Sequence, residues 1–398
     1  MKKILTTLRF EHAILLGLLL IVFAVLVASN FSISNEQQFV YQAESFLHGR
    51  LDLLDQPGTW ADAALVDGKY YWPLGPFPAV VLMPFVAVFG YSMLQGYLQL
   101  LVTFGVVLLA FAIARTQKMT KTDALWFATA FAFASVYVGV ALIPWSWYFA
   151  QVVTTVLLLG ALYEFFTHKR WWLIGLLMAA VLGTRIGASF SILFFVCAIL
   201  FSKDTWRQKC SHLTQLIVPW MIVGGLLLGM NKVRFGSYSN NGYLLQDVQG
   251  PNGLNRELYG LFSIKNVLPN IFNYFFRIPL FFPRISQDAS QLYPQVFPAS
   301  VFIISPFFLW SFRAFIKKYR QPLTWFLLIG SSITIIALMF YYASGQRLGP
   351  RYIVDVLPFW YILLLFAFKE QRLQWYHKTL IGVSVVFNLL LGLSVFYA

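Results

Sequence analysis

Charge is what this chain has least of. Only 11% of its 398 residues are Asp, Glu, Lys or Arg, against roughly 25% in an ordinary soluble domain. Acids are scarcer than bases, 15 against 29, which leaves a formal net charge of +14. Cysteine is almost missing. Cys197 sits in an apolar run and Cys210 in a basic loop, so no disulfide framework and no thiolate metal spacing exists. There is no P-loop, no dinucleotide glycine pattern and no Ser–His–Asp order, which excludes the common nucleotide-dependent and triad chemistries. No internal repeat, low-complexity tract or soluble domain is visible, and 1–398 reads as one unit.

What is plentiful is apolar. The chain is 59% hydrophobic and 18% aromatic, with a mean hydropathy of +0.70. That is the composition of a polytopic membrane protein. The basic excess then reads first as the positive-inside rule rather than as nucleic-acid binding. Lys2, Lys3 and Arg9 precede an apolar run from Ala13 to Val27 that ends in small residues. This looks like a secretory signal, but a retained first helix with a basic front orients the same way, and retention is the expectation.

Basic loops set the expected sides. Arg115 to Lys121, His168 to Arg170, Lys203 to Lys209, Arg313 to Arg320 and Lys369 to Lys378 should face the cytoplasm, with the N-terminus. Parity then decides between two apolar runs, 74–90 and 96–114. The first carries Pro73, Pro76, Pro78 and Pro84 at or inside it, and proline removes backbone donors and kinks helices. We read it as a juxtamembrane element and the second run as a crossing. The expected fold is all-α, with about eleven transmembrane helices. Amphipathic juxtamembrane helices lie in the first outer loop. Crossings are expected near 12–30, 96–114, 123–142, 147–166, two within 171–202 split at 183–187, 213–230, 300–312, 324–342, 353–368 and 379–396. The outer loops are about 31–95 and about 231–299, and the C-terminus lies outside.

The first outer loop is a polar island. Glu36, Glu44, Asp52, Asp55, Asp62 and Asp67 all fall between Ser32 and Pro78, six of the 15 acids. Ser34 and Gln37 have the spacing of a capping box, and Phe39, Val40, Ala43, Phe46 and Leu47 recur at helical spacing before Gly49. Glu36 is then expected in the first helical turn, where the dipole favours its carboxylate. Ionised at a cavity mouth, it could take a proton from a hydroxyl; the bland reading is an acid that only complements the dipole. Asp52, Asp55, Asp62 and Asp67 form no D-x-D pair. A divalent ion wants several hard oxygens, so neither a metal nor another cofactor is expected. His48, beside Gly49, reads as structural.

Arginine is misplaced in this topology. Arg50, Arg185, Arg234, Arg256, Arg277, Arg284, Arg347 and Arg351 all fall on the outer side, against the positive-inside rule. The guanidinium fork matches phosphate oxygens, so an anionic ligand would account for the excess. Pairing with the loop carboxylates, or with lipid headgroups, is the bland alternative. Arg185 and Arg351 each sit at a break between apolar runs.

Several short stretches together carry a family resemblance. These are Asn35-Glu36 with the following Tyr41 and Ala43, Asp67-Gly68-Lys69-Tyr70-Tyr71 with Pro73 and Pro76, and Gly183-Thr184-Arg185. Asn231 with Phe235-Gly236-Ser237, and Arg351-Tyr352 with Pro358, complete the set. In order and placement the chain resembles the GT-C superfamily of membrane glycosyltransferases, in the group around protein O-mannosyltransferases and aminoarabinose transferases. Asn35 stands where relatives often have Asp, and the base is carried to Glu36. The resemblance implies a hexosyltransferase of the cell inner (cytoplasmic) membrane, with its active site on the outer side. It implies a polyprenyl-phosphate sugar donor and a hydroxyl acceptor on a protein, lipid or envelope polymer. It also implies inversion at the anomeric carbon, and Lys69, Tyr71, Arg185, Arg347, Arg351 and Tyr352 as substrate-binding residues. Two other readings stand beside it: a lipid-linked sugar flippase or transporter, which should show repeats and helices broken at the midplane, and an O-antigen polymerase or ligase, against which the early acidic loop argues.

Overall fold

A computed structural model describes residues 2–55, 62–246, 248, 250–279, 281–285, 292–296, 299–345 and 349–396. Five of its helices are long and apolar enough to cross a membrane by length and composition: α1 (Lys2–Asn30, apolar from Glu11), α4 (Gln95–Thr116), α7 (Ser146–Phe166), α11 (Trp206–Phe235) and α16 (Pro322–Phe340). We read the chain on that basis as an integral membrane protein. Between them lie α2 (Gln38–Leu47), a hairpin of β1 (Ala64–Val66) and β2 (Lys69–Tyr71), α3 (Phe77–Phe89), α5 (Lys121–Ala132), α6 (Tyr137–Ala141), α8 (Trp171–Thr184), α9 (Ile186–Ser189) and α10 (Ile192–Leu200). Then come α12 (Gly250–Tyr259), α13 (Val267–Ile271), β3 (Phe281–Ile285), β4 (Leu292–Val296), α14 (Val301–Ile304), α15 (Arg313–Lys317), α17 (Leu357–Ala367) and α18 (Trp375–Phe396).

Burial separates the centre from the rim. In α7, 72% of the most apolar stretch is buried, whereas in α11 the share is 6%. α7 is therefore the hub, packed on α4 and α8, and α11 turns most of its surface to the surroundings. Between two helices in lipid there is little hydrophobic gain, so close backbone approach has to hold them. Gly175 of α8 supplies it: a Cβ there would meet the Gln215 carbonyl oxygen of α11 at 2.2 Å.

Basic connections gather at one end. Lys378 pairs with Glu11 at 2.8 Å, and Lys318 lies 3.9 Å from Glu370. The described parts of the two long connections, 31–94 and 236–300, meet where Ala64 bridges Gln246, and the second also reaches the end of α16, where Phe262 bridges Tyr341. The hairpin within the first of them turns on Asp67 and Gly68, both at positive φ (50° and 73°), the pattern of a two-residue type I′ turn.

Several expected boundaries move. The run 123–142 is not one helix but α5 and α6, broken around Phe133–Val136. Ser135 accounts for the break: its hydroxyl bonds the Phe131 carbonyl and accepts from Tyr137 N–H, a local competitor to the helix ladder. The run 300–312 is α14 followed by a 3-10 stretch, Pro306–Phe312, which begins at a proline. The capping box at Ser34 does not form. Ser34 instead accepts from Glu36 N–H at 3.1 Å, and α2 starts at Gln38 with no side-chain cap. Glu36 therefore precedes the helix rather than lying in its first turn. The break at 183–187 falls where the glycine and arginine place it, with Arg185 extended (φ −147°, ψ 108°) between α8 and α9.

Candidate active site

Two cavities are found among the described residues. One has a volume of about 340 Å³ and a mixed lining that includes Asp62, Arg185, Tyr243, Gln246, Arg351 and Asp355. Its remaining wall is largely aromatic, with Trp147, Phe262, Tyr341, Tyr342 and Tyr352. The other, about 660 Å³, is an apolar groove between α3, α8 and α11, lined by Phe77, Val80, Ala180, Val223 and Leu227 among others. Their linings are neighbours in sequence at the end of α8, where Gly183 lines the groove and Thr184 and Arg185 line the cavity, and no residue lines both. Gly75 forms the seam. A Cβ on it would meet the Gly183 and Thr184 carbonyl oxygens at 2.3 and 2.7 Å, so only glycine lets the first long connection sit on α8.

Arg185 and Arg351 reach the same cavity in different states. Arg185 forks onto Asp355, with Nε 3.0 Å from each carboxylate oxygen and Nη2 2.8 Å from Oδ2. That carboxylate is 2% exposed. Arg351 makes no ion pair among the described residues. Its guanidinium lies over the rings of Tyr148 (4.5 Å) and Tyr352 (5.1 Å), and its Nε has no hydrogen-bond partner among the described residues. Tyr352 stands between the two cations, 5.5 Å from Arg185. Arg351 is half-buried, and beyond a long contact from Nη2 to the Tyr352 hydroxyl (3.4 Å) it keeps donors that an anion would complete.

The other expected site residues divide. Tyr352 lines the cavity with Arg185 and Arg351. Lys69 is exposed on β2, and Tyr71 packs its ring on Phe235 at 5.6 Å; neither is in the cavity wall. Burial raises the Tyr71 phenol above its ordinary value, with the Asp52 and Asp67 charges adding to it. Arg347 lies outside the described residues. Glu36 is half-buried and is not in the cavity lining. Its carbonyl accepts from Ser146 N–H at 3.0 Å, next to the wall residue Trp147. His48 is exposed at the end of α2, with Nδ1 3.0 Å from the Glu44 carbonyl oxygen.

Among the loop acids, position now decides. Asp52 pairs with Arg50, whose hydrogen bond holds its carboxyl below the usual range. Asp67 is the hairpin turn. Asp62 alone of that group lines the cavity, and Gln246 Nε2 donates to its carbonyl at 2.7 Å. Arg256, one of the arginines expected on the outer side, is anchored to backbone. It donates to the carbonyls of Tyr243 (2.9 Å) and Gln246 (2.7 Å), so it clamps the segment that forms one wall. Sequence reasoning passed over Tyr243, Gln246 and the Tyr341-Tyr342 pair. Only the last had a signal, two polar rings closing an apolar run.

No family model matches the chain, and no curated protein matches it in sequence. Solved structures do. ArnT from Cupriavidus metallidurans in the apo state superposes with a TM-score of 0.50 at 14% identity, over 91% of this chain and 60% of that one. AglB, the oligosaccharyltransferase of the archaeon Archaeoglobus fulgidus in complex with an inhibitory peptide and a dolichol-phosphate, gives a TM-score of 0.43 at 15% identity, over 96% of this chain and 54% of that one. The chain spans less than two thirds of either protein. It shares the fold of that ArnT structure.

Proposed function

We propose that this protein is a membrane glycosyltransferase that moves a hexose from a polyprenyl-phosphate donor to an acceptor hydroxyl. The observation that carries the reading is a polar cavity holding Arg351, which makes no ion pair among the described residues, with an apolar groove lined from the adjacent end of α8. A lipid phosphate has that shape: an isoprenoid tail for the groove, a phosphate for Arg351, and a sugar for the tyrosine-rich wall. The shared ArnT fold supports it.

In this reading Glu36 takes the proton from the acceptor hydroxyl. The acceptor oxygen then attacks the anomeric carbon from the face opposite the phosphate. The bond from that carbon to the phosphate oxygen breaks, and polyprenyl phosphate leaves carrying the electron pair. One carboxylate suffices, unlike the pair used in glycoside hydrolysis. Arg351 would stabilise charge growing on the leaving phosphate, a task for preorganised donors. Lys69, Tyr71 and Arg347 belong to the proposal on the resemblance alone. About eleven crossings, with the site on the outer face of the inner membrane, are the topology that goes with it.

Two variants test the base. Glu36→Gln keeps size and loses charge, and transfer should fall at least about a hundredfold with insertion intact. Asp62→Asn should keep most turnover. The reverse pattern would hand the proton to Asp62, and full activity in both would remove a carboxylate base from these two positions.

A further inference from the structure

We infer that Gln38, Gln95 and Ser146 are positioning residues for the Glu36 carboxylate; this rests on Glu36 being the base. Glu36 lies in non-helical backbone beside exposed Asn35, so no ladder fixes it. Two helix N-termini do so instead. Gln95 opens α4 and Ser146 opens α7, where first-turn N–H groups have no partner within the helix. Ser146 N–H donates to the Glu36 carbonyl, and Gln95 N–H donates to Gln37 Oε1 at 2.9 Å. The side chains reinforce both. Gln95 Nε2 divides its two hydrogens between the Glu36 carbonyl (2.9 Å) and the Pro144 carbonyl (2.8 Å). Ser146 Oγ lies 3.1 Å from the Glu36 carbonyl and accepts from Phe39 N–H at 3.3 Å. Gln95 and Ser146 are both fully buried.

Gln38 acts on the carboxylate itself, with Nε2 2.6 Å from Glu36 Oε2. Its side chain is fully buried, and its own Oε1 has no partner among the described residues. A buried amide oxygen without a partner costs stability. A methionine of similar length would suit the fold at least as well. What the amide contributes is the charge-assisted bond that turns the carboxylate.

The test separates position from stability. Turnover is read as polyprenyl phosphate released from a short-chain polyprenyl-phosphate hexose, with membranes from cells lacking the protein as acceptor source. Gln38→Met should lower kcat about tenfold or more, leave KM for the donor unchanged and keep or raise the melting temperature. Placed in Glu36→Gln, it should cost nothing further, because the two residues act as one unit. Ser146→Ala should also be slow, and Ser146→Thr, which keeps the hydroxyl, should recover. Wild-type kcat in Gln38→Met, or a full additive loss on top of Glu36→Gln, overturns the inference while Glu36 stands as base. Full activity in Glu36→Gln overturns the base and the inference together. If Gln38→Met does not fold, the Ser146 pair decides, and wild-type kcat in Ser146→Ala sinks the idea.

Discussion

Arg351 lies over two tyrosine rings without an ion pair among the described residues, while Arg185 is locked to the buried Asp355. The same side chain therefore does different work at the two positions. Removing Arg185 strands a buried carboxylate, a loss of about 3–5 kcal/mol, so Arg185→Ala should appear first as lost folding, and Arg185→Ala with Asp355→Asn should regain much of it. Arg351 should behave as a ligand. Lysine keeps its charge and loses its planar fork, at a cost of roughly 1.5–3 kcal/mol for a charge-assisted bond. Arg351→Lys should therefore slow transfer about ten- to a hundredfold at an unchanged melting temperature. Thermal unfolding and donor turnover on the same preparations check both statements. A stable, inactive Arg185→Ala would show that Arg185 also meets the substrate. The sequence placed both arginines at chain breaks, but it contained nothing to pair one with Asp355, 170 positions away.

At the scale of elements, the site is held by a seam and a clasp. The seam is Gly75 on the end of α8, where an added methyl would run into backbone oxygen that has no rotamer to change. Gly75→Ala should lower both yield and turnover, while Gly17→Ala, with no atom within 4 Å, should be silent. The clasp is Arg256, spanning the Tyr243 and Gln246 carbonyls while Gln246 holds the Asp62 carbonyl. A lysine has no planar fork to span both. Arg256→Lys should then lose several-fold in turnover, against the near-neutrality that a plain loop position implies; wild-type turnover would show that the wall does not depend on the clamp. Helix breaks were legible where glycine, proline or a stranded charge marked them, as at 183–187. The break near Ser135 was not, because it depends on where one hydroxyl finds its partners. The start of α2 shifted for the same kind of reason. Ser34 has the spacing of a cap but bonds Glu36 instead, and spacing alone cannot separate those outcomes.

Across the whole molecule, composition was enough to identify a helical membrane protein, and the carboxylate-rich loop contributes Asp62 to the cavity wall. The cavity was less legible. Its walls come from positions as far apart as Asp62, Arg185, Tyr243, Tyr341 and Asp355, brought together only when the two long connections meet. The account as a whole stands on a lipid-phosphate sugar giving up its hexose in that cavity. The most direct measurement compares cells with and without this protein, by mass spectrometry of envelope glycans and of polyprenyl-phosphate sugars in the same extracts. The account predicts one hexose modification missing in the cells that lack the protein and its polyprenyl-phosphate donor accumulated, with both reversed by the wild-type gene and not by Glu36→Gln. Unchanged glycans with an unchanged donor pool would contradict it, and so would restoration by Glu36→Gln as complete as by the wild type.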